Sequence, residues 1–196
     1  MRGTVLSVVL LHLMVCSVTA GTLRVTVEEP SGVARTRWPV TSGVPLAQGD
    51  LPEGQAVGLF SADGERVPLQ AEVLARWLDG SARWLLLDFQ VDLEAGQKKV
   101  FSLRHGEGVK PSAIDDPVTV RREDGSVTLE TGPLRVRFSG RGFAPLGDVW
   151  LDGDANGRFV AAEQVLGSAG LRIPGSDEVS PPEEIVLEQS GPIRAC

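Results

Sequence analysis

The chain has 196 residues, 42% apolar and 23% charged, with 23 Gly, 13 Pro, no Tyr, two Cys and two His. That length holds one ordinary domain, or one domain and the start of a second, and the apolar share argues for a folded core. With 26 acidic against 19 basic residues the net charge is -7, which excludes the positive field of a general nucleic-acid binder.

Met1-Arg2-Gly3 opens the chain with a positive charge, and Val5 to Val15 is apolar apart from Ser7 and His12. Val18 and Ala20 then stand where a signal peptidase reads small residues. The pattern predicts a signal peptide over residues 1–20, cleaved before Gly21, and a secreted or periplasmic product. A buried N-terminal strand or helix is the competing reading. Lipidation at Cys16 is disfavoured because Val15 is a poor match to the small residue that such processing wants. Past residue 20 no segment approaches the roughly 20 continuous apolar residues that cross a bilayer. Removing residues 1–20 takes away Arg2, His12 and Cys16, so 18 basic residues face 26 acidic ones and the charge becomes -8. His105 and Cys196 are then the last of their kinds, which excludes an internal disulfide and a Cys/His zinc cluster by count.

Leu23 to Glu28 alternates apolar and polar side chains, the period of a strand with one face on a core. Pro30 to Gly54 carries four Pro and four Gly around the short run Thr36 to Val40 and reads as irregular backbone punctuated by short extended pieces, with turns dominant. From there the pattern predicts a meander of antiparallel pairs: Val57–Phe60, Val67–Leu69, Ala71–Arg76, Ala82–Phe89 and Lys98–Arg104, punctuated by Asp63-Gly64, Asp79-Gly80 and Glu94-Ala95-Gly96. Trp84 to Phe89 is continuously apolar enough for a strand covered on both sides, with Ala71–Arg76 as its neighbour and Trp84 as a core residue. Strands are preferred over a helix across Leu69 to Leu87 because Asp79-Gly80-Ser81 interrupts the middle. His105, directly after a strand and without a ligand partner, reads as a surface or strand-end residue.

Residues 21–105 are expected to form an N-terminal β-barrel domain, 106–117 a linker, and 118–196 a second antiparallel β region; the fold class is all-β. In the second region Glu123-Asp124-Gly125 joins two strands as a hairpin, and Leu134 to Phe138 supplies a third strand. Leu129 to Arg135 and Leu187 to Arg194 echo one another around a Gly-Pro pair, a recurrent strand-turn-strand pattern. The second copy stops at Cys196, and a lone terminal Cys in an exported protein is unusual. Both features lead us to expect a truncated region, the front of a longer protein.

The sharpest motif is Asp152, Asp154, Asn156, Gly157 and Glu163, at positions 1, 3, 5, 6 and 12 of a calcium loop. A tight Gly turn would fold the early oxygens onto one ion, with Glu163 closing the far side. The competing reading is an acidic hairpin tip between Val149–Leu151 and Phe159–Val160, since no entering helix is indicated before Asp152. Asp88 and Asp92 lie at even spacing and can share a strand face, but nothing selects them as a catalytic pair. No nucleophile elbow, glycine-rich phosphate loop or Ser/His/acid signature appears. Trp38 and Trp77, with Arg76 and Arg83, are candidate carbohydrate contacts; core rings and solvated ion pairs are the alternative.

Two segments, Trp38-Pro39-Val40-Thr41-Ser42-Gly43-Val44-Pro45-Leu46-Ala47-Gln48-Gly49 and Arg76-Trp77-Leu78-Asp79-Gly80-Ser81-Ala82-Arg83-Trp84-Leu85-Leu86-Leu87-Asp88-Phe89, occur in the order found in exo-rhamnogalacturonan lyase-like proteins. The chain resembles the N-terminal domain of that family, most strongly over residues 33–105. The resemblance implies a small RIFT-type β-barrel at the front of a longer exported protein, followed by further β-structure and a helical toroid. Elimination chemistry in that family is associated with the downstream region, so no catalytic residue carries over to this chain. The expectation is a noncatalytic accessory or structural module. Its partners would be the downstream domains and a pectic or other polysaccharide, with no nucleic acid. A carbohydrate-binding module and a polysaccharide lyase acting by β-elimination are the alternatives. Calcium is the one cofactor carried forward.

Overall fold

The computed structural model describes residues 21–106, 108–140, 147–167 and 182–196. The expected signal segment, residues 1–20, and part of the second β region lie outside them. The described residues carry strands and one 3-10 turn and no α-helix, the all-β class expected.

Alternation decides β1 (Gly21–Glu28): Leu23, Val25 and Val27 pack toward the core while the residues between them face solvent. Its partner is remote in sequence. β1 pairs antiparallel with β7 (Lys98–His105), β7 also pairs with β3 (Val57–Phe60), and β3 pairs with β4 (Arg66–Val67). A second sheet places β6 (Ala82–Leu93) between β2 (Arg35–Pro45) and β5 (Leu69–Arg76). The simple meander is therefore corrected. Only β3–β4 and β5–β6 pair as sequence neighbours, and the consecutive strands β6 and β7 lie in different sheets, so core closure overrides local pairing.

Pro68 alone separates β4 from β5. Lacking an N–H, it ends one ladder and lets the chain bend into the other sheet. The inner faces meet at Leu85, Leu87 and Phe89 of β6, Leu59 of β3, and Phe101 and Leu103 of β7, all buried. Phe89 meets Phe101 edge to face, ring centres 5.6 Å apart, which ties the two sheets together.

Three further expectations are corrected. The Pro- and Gly-rich stretch after Pro30 contains β2, a continuous 11-residue strand, where only short extended pieces in irregular backbone were expected. β2 is an edge strand, so Pro39 and Pro45 leave its ladder with β6 intact. Trp84 is not core: inward positions of β6 are the odd-numbered ones, and Trp84, 42% exposed, lies outside against Gly43. His105 is at a strand end as read but not on the surface; it is 3% exposed and fills space that a side chain on Gly21 would need.

Residues 108–118 carry no strand and run beside β4, where Arg66 donates to the carbonyls of Lys110 and Pro111. The third sheet, that of the second β region, has the order β12-β11-β10-β9-β8, from β8 (Thr119–Glu123), β9 (Ser126–Thr131), β10 (Leu134–Phe138), β11 (Asp148–Leu151) and β12 (Gln164–Leu166). Asp124 and Gly125 join β8 to β9 with φ of 47° and 73°, the paired positive angles of a tight hairpin turn. The strand returning to β11 is Gln164–Leu166; the expected return at Phe159–Val160 is corrected, because the Asp152 loop uses those residues before pairing resumes.

Candidate functional site

Two places on the molecule gather polar groups. The first is the loop after β11. Asp152 accepts hydrogen bonds from the backbone N–H groups of Asn156 (3.1 Å) and Gly157 (2.7 Å), which curls the chain over its carboxylate. Asp154 accepts from Asn156 through both N–H and side-chain amide, and Glu163 accepts from Val160 N–H at 3.0 Å, starting the 3-10 turn Ala161–Glu163. Carboxylate oxygens of Asp152, Asp154 and Glu163 thereby come within 4.8 Å of one another. Asn156 Oδ1 accepts from Arg158 N–H. Burial alone would raise the Asp152 pKa; the N–H groups of Gly157 and Asn156 outweigh it and hold the carboxyl below its ordinary range. An ionised, converging acid group of this kind can hold a divalent cation.

The second place is the outer face of β6, where Asp88, Gln90 and Asp92 project on one side by strand alternation. Asp88 is 2% exposed because the C-terminal segment covers it. Thr41 of β2 donates its hydroxyl to Asp88 at 2.5 Å, and the Arg194 guanidinium approaches to 3.5 Å. Beside it, Gln70 of β5 accepts from the N–H groups of Ile193 and Arg194, each at 2.9 Å, and donates to the Arg194 carbonyl at 3.2 Å. The segment that Gln70 grips is itself a small hairpin, with a Ser190–Ala195 bridge around Gly191-Pro192. The two Gly-Pro echoes in the sequence are thus both hairpin turns, one joining β9 to β10 and one closing this C-terminal hairpin, which with Gln70 and Asp88 forms a latch onto the barrel.

Between the barrel, the segment after β7 and these two turns lies a cleft of about 690 Å³. Gln90 and Asp92 of β6, Arg37 of β2 and Asp115 and Asp116 supply its polar lining, with Pro133 and Pro192 from the two turns among its apolar walls. Of the charged and amide groups only Asp92 was singled out from sequence, while Pro133 and Pro192 belong to the Gly-Pro echo. Arg37 sits in a bulge of the β2–β6 ladder, hidden within a Pro-rich stretch that gave no strand signal.

The sugar-contact candidates are divided. Trp38, 47% exposed, pairs with Val91, whereas Arg76 pairs with Ala82. Nine positions of β6 separate those rungs, about 30 Å of strand. Trp38 stacks under Arg35 (4.2 Å) at one end, in a groove with Glu28 and Glu29. At the other end Arg83 lies 4.8 Å over Trp77, whose indole N–H donates to the Leu46 carbonyl. Arg76 donates to the Gly80 carbonyl and meets Glu53 at 3.5 Å. One groove holding all four side chains is not formed.

Comparison with known proteins follows the fold. A family model described as the PcRGLX-like N-terminal RIFT barrel domain matches residues 29–106. That segment is similar to the RIFT barrel of this family. The match covers β2 to β7, the strands that build both barrel sheets apart from β1. The uncharacterized protein YetA of Bacillus subtilis (strain 168) is 25% identical over 171 residues, covering 84% of this chain. The chain spans 19% of the length of that relative. No helix among the described residues is long and apolar enough to cross a membrane.

Proposed function

We propose that this chain is the noncatalytic N-terminal module of a longer, exported polysaccharide-active protein, its barrel acting as a mount for the β region that follows. The observation that carries this reading is the latch. The polar outer face of β6, where a catalytic pair such as Asp88 and Asp92 could have stood, is already engaged: Asp88 holds Thr41 of β2 and Arg194 of the terminal hairpin, and Asp92 accepts from the Arg37 N–H of β2. The span of 19% against the YetA relative fits a front module of a longer protein. The N-terminal sequence pattern supports export with cleavage before Gly21. Incubating the purified chain with rhamnogalacturonan and following ultraviolet absorbance of unsaturated uronates tests the reading. No product is expected; sustained release of unsaturated product would favour the lyase alternative.

The convergence of Asp152, Asp154 and Glu163 within 4.8 Å favours calcium as a further element of this reading. Calorimetric titration of the chain with calcium should give saturable heat that Asp152→Asn abolishes. A flat titration of folded protein would remove the cation from the proposal.

A further inference from the structure

We propose that the cleft between the barrel and the second β region binds a neutral saccharide or polyol. The inference rests on the polysaccharide context proposed above, but its geometry stands separately. At about 690 Å³ the cleft falls within the range of small-molecule sites. Its walls come from six separate stretches of chain, including the β9–β10 turn and the terminal hairpin, so it exists only when the latch holds the second β region against β6.

The lining charges choose the ligand class. One guanidinium, Arg37, faces three carboxylates, Asp92, Asp115 and Asp116. A net excess of negative charge repels uronates and other anions. The only acidic trio within metal-ligand spacing among the described residues is the Asp152 group, so these three carboxylates do not form a cation cage. What remains is a mixture of donors (Arg37, the Gln90 amide) and acceptors (the carboxylates, Gln90 Oε1) beside apolar proline walls. A sugar hydroxyl both donates and accepts, and sugar C–H faces pack on apolar surface, so the set matches a neutral polyol.

Backbone strain adds a second, independent observation. Four described residues other than Gly have positive φ, and two of them, Arg37 (47°) and Asp116 (50°), line this cleft. Asp116 also precedes Pro117, which narrows its allowed conformations further. Glycine would take either position without strain. A side chain held in strained backbone at both positions supports a functional role for this cleft. The Arg37 N–H donates to Asp92 at 2.6 Å and its Nε to Gln90 at 3.3 Å, which fixes the bulge; its guanidinium makes no ion pair among the described residues.

The test compares neutral galactotriose with trigalacturonate, by saturation-transfer NMR and calorimetry on the whole chain. Galactotriose should bind and trigalacturonate should bind more weakly. Arg37→Gly and Asp116→Gly should each melt no lower than the parent, since they relieve strain, yet bind galactotriose about tenfold more weakly, the scale of one lost hydrogen bond to a charged group. Absence of galactotriose binding, preference for the uronate, or full affinity in an Arg37→Gly protein that remains folded would each overturn the assignment. Should Arg37→Gly fail to fold, Asp116→Gly decides alone. Cleavage of rhamnogalacturonan by the chain would refute the accessory reading and leave this binding result standing.

Discussion

Gly191→Ala probes the joint on which both the accessory reading and the cleft depend. A Cβ at Gly191 would lie 2.2 Å from the Gln70 side-chain carbon and nitrogen and 2.3 Å from its oxygen. The Gln70 amide would have to retreat by about 1 Å to reach ordinary contact, and its bonds to Ile193 N–H, Arg194 N–H and the Arg194 carbonyl, now 2.9 to 3.2 Å, would pass out of range. Three neutral hydrogen bonds at about 1 kcal/mol each put the loss near 2–4 kcal/mol once the desolvated amide is counted. The loss falls on docking of the terminal hairpin and leaves the barrel core untouched. Thermal melts should therefore show a new low-temperature phase, and limited proteolysis should cut within residues 108–118 and 188–196 before the barrel is attacked. Gln70→Ala should reproduce this, and the double variant should be no worse than the single ones, because the same bonds are already broken. A Gly191→Ala protein that melts with the parent and resists protease equally would refute the latch.

Phe89→Ala addresses the barrel itself. The ring is fully buried and meets Phe101 across the two sheets, so its removal should cost about 3–5 kcal/mol and lower the urea midpoint of the barrel transition; an unchanged midpoint would show that the sheets do not share this core. Glu29→Gln addresses pH. The Gly96 N–H, with those of Ser31 and Val33, holds the Glu29 carboxyl below its ordinary value of 4.5 in spite of burial. A depressed carboxyl stabilises the fold fully above its unfolded pKa, and the contribution is lost as pH falls through the folded value. The parent melting temperature should thus decline on acidification below about pH 4.5, and Glu29→Gln should start lower near neutrality and decline less steeply. Parallel pH profiles for the two proteins would exclude Glu29 from the acid response.

Local chemistry was legible and remote pairing was not. β1 followed from strict alternation, β5–β6 from Asp79-Gly80, and β8–β9 from Asp124-Gly125, because each signal acts within a few residues. β2 escaped notice because Pro39 and Pro45 mark turns in a local reading, whereas an unpaired outer edge tolerates them once β6 supplies the ladder. Trp84 was misplaced for a related reason. A run of apolar residues from Trp84 to Leu87 hides the phase of the strand, and only its pairing with β2 and β5 shows that odd positions face inward. The calcium-loop residues were found because their spacing is a local pattern, and the fold does gather three of their carboxylates.

The cleft and the latch were out of reach for a different reason. Gln70, Arg37, Asp116 and Gly191 are unremarkable in their own neighbourhoods, and their chemistry arises from contacts up to 124 positions apart. One trace was present: Asp88 and Asp92 share a strand face, and the Gly-Pro turn recurs. Separately, neither says where it points. The even-numbered face of β6 carries a buried acid that needs partners, and the recurring turn brings Arg194 and the backbone of residue 193 to that face and its neighbour Gln70. A charge so enclosed by a segment this distant ties the two β units into one cooperative joint. Loosening the turn at Gly191 should therefore weaken ligand binding in the cleft without any change to the residues that touch the ligand.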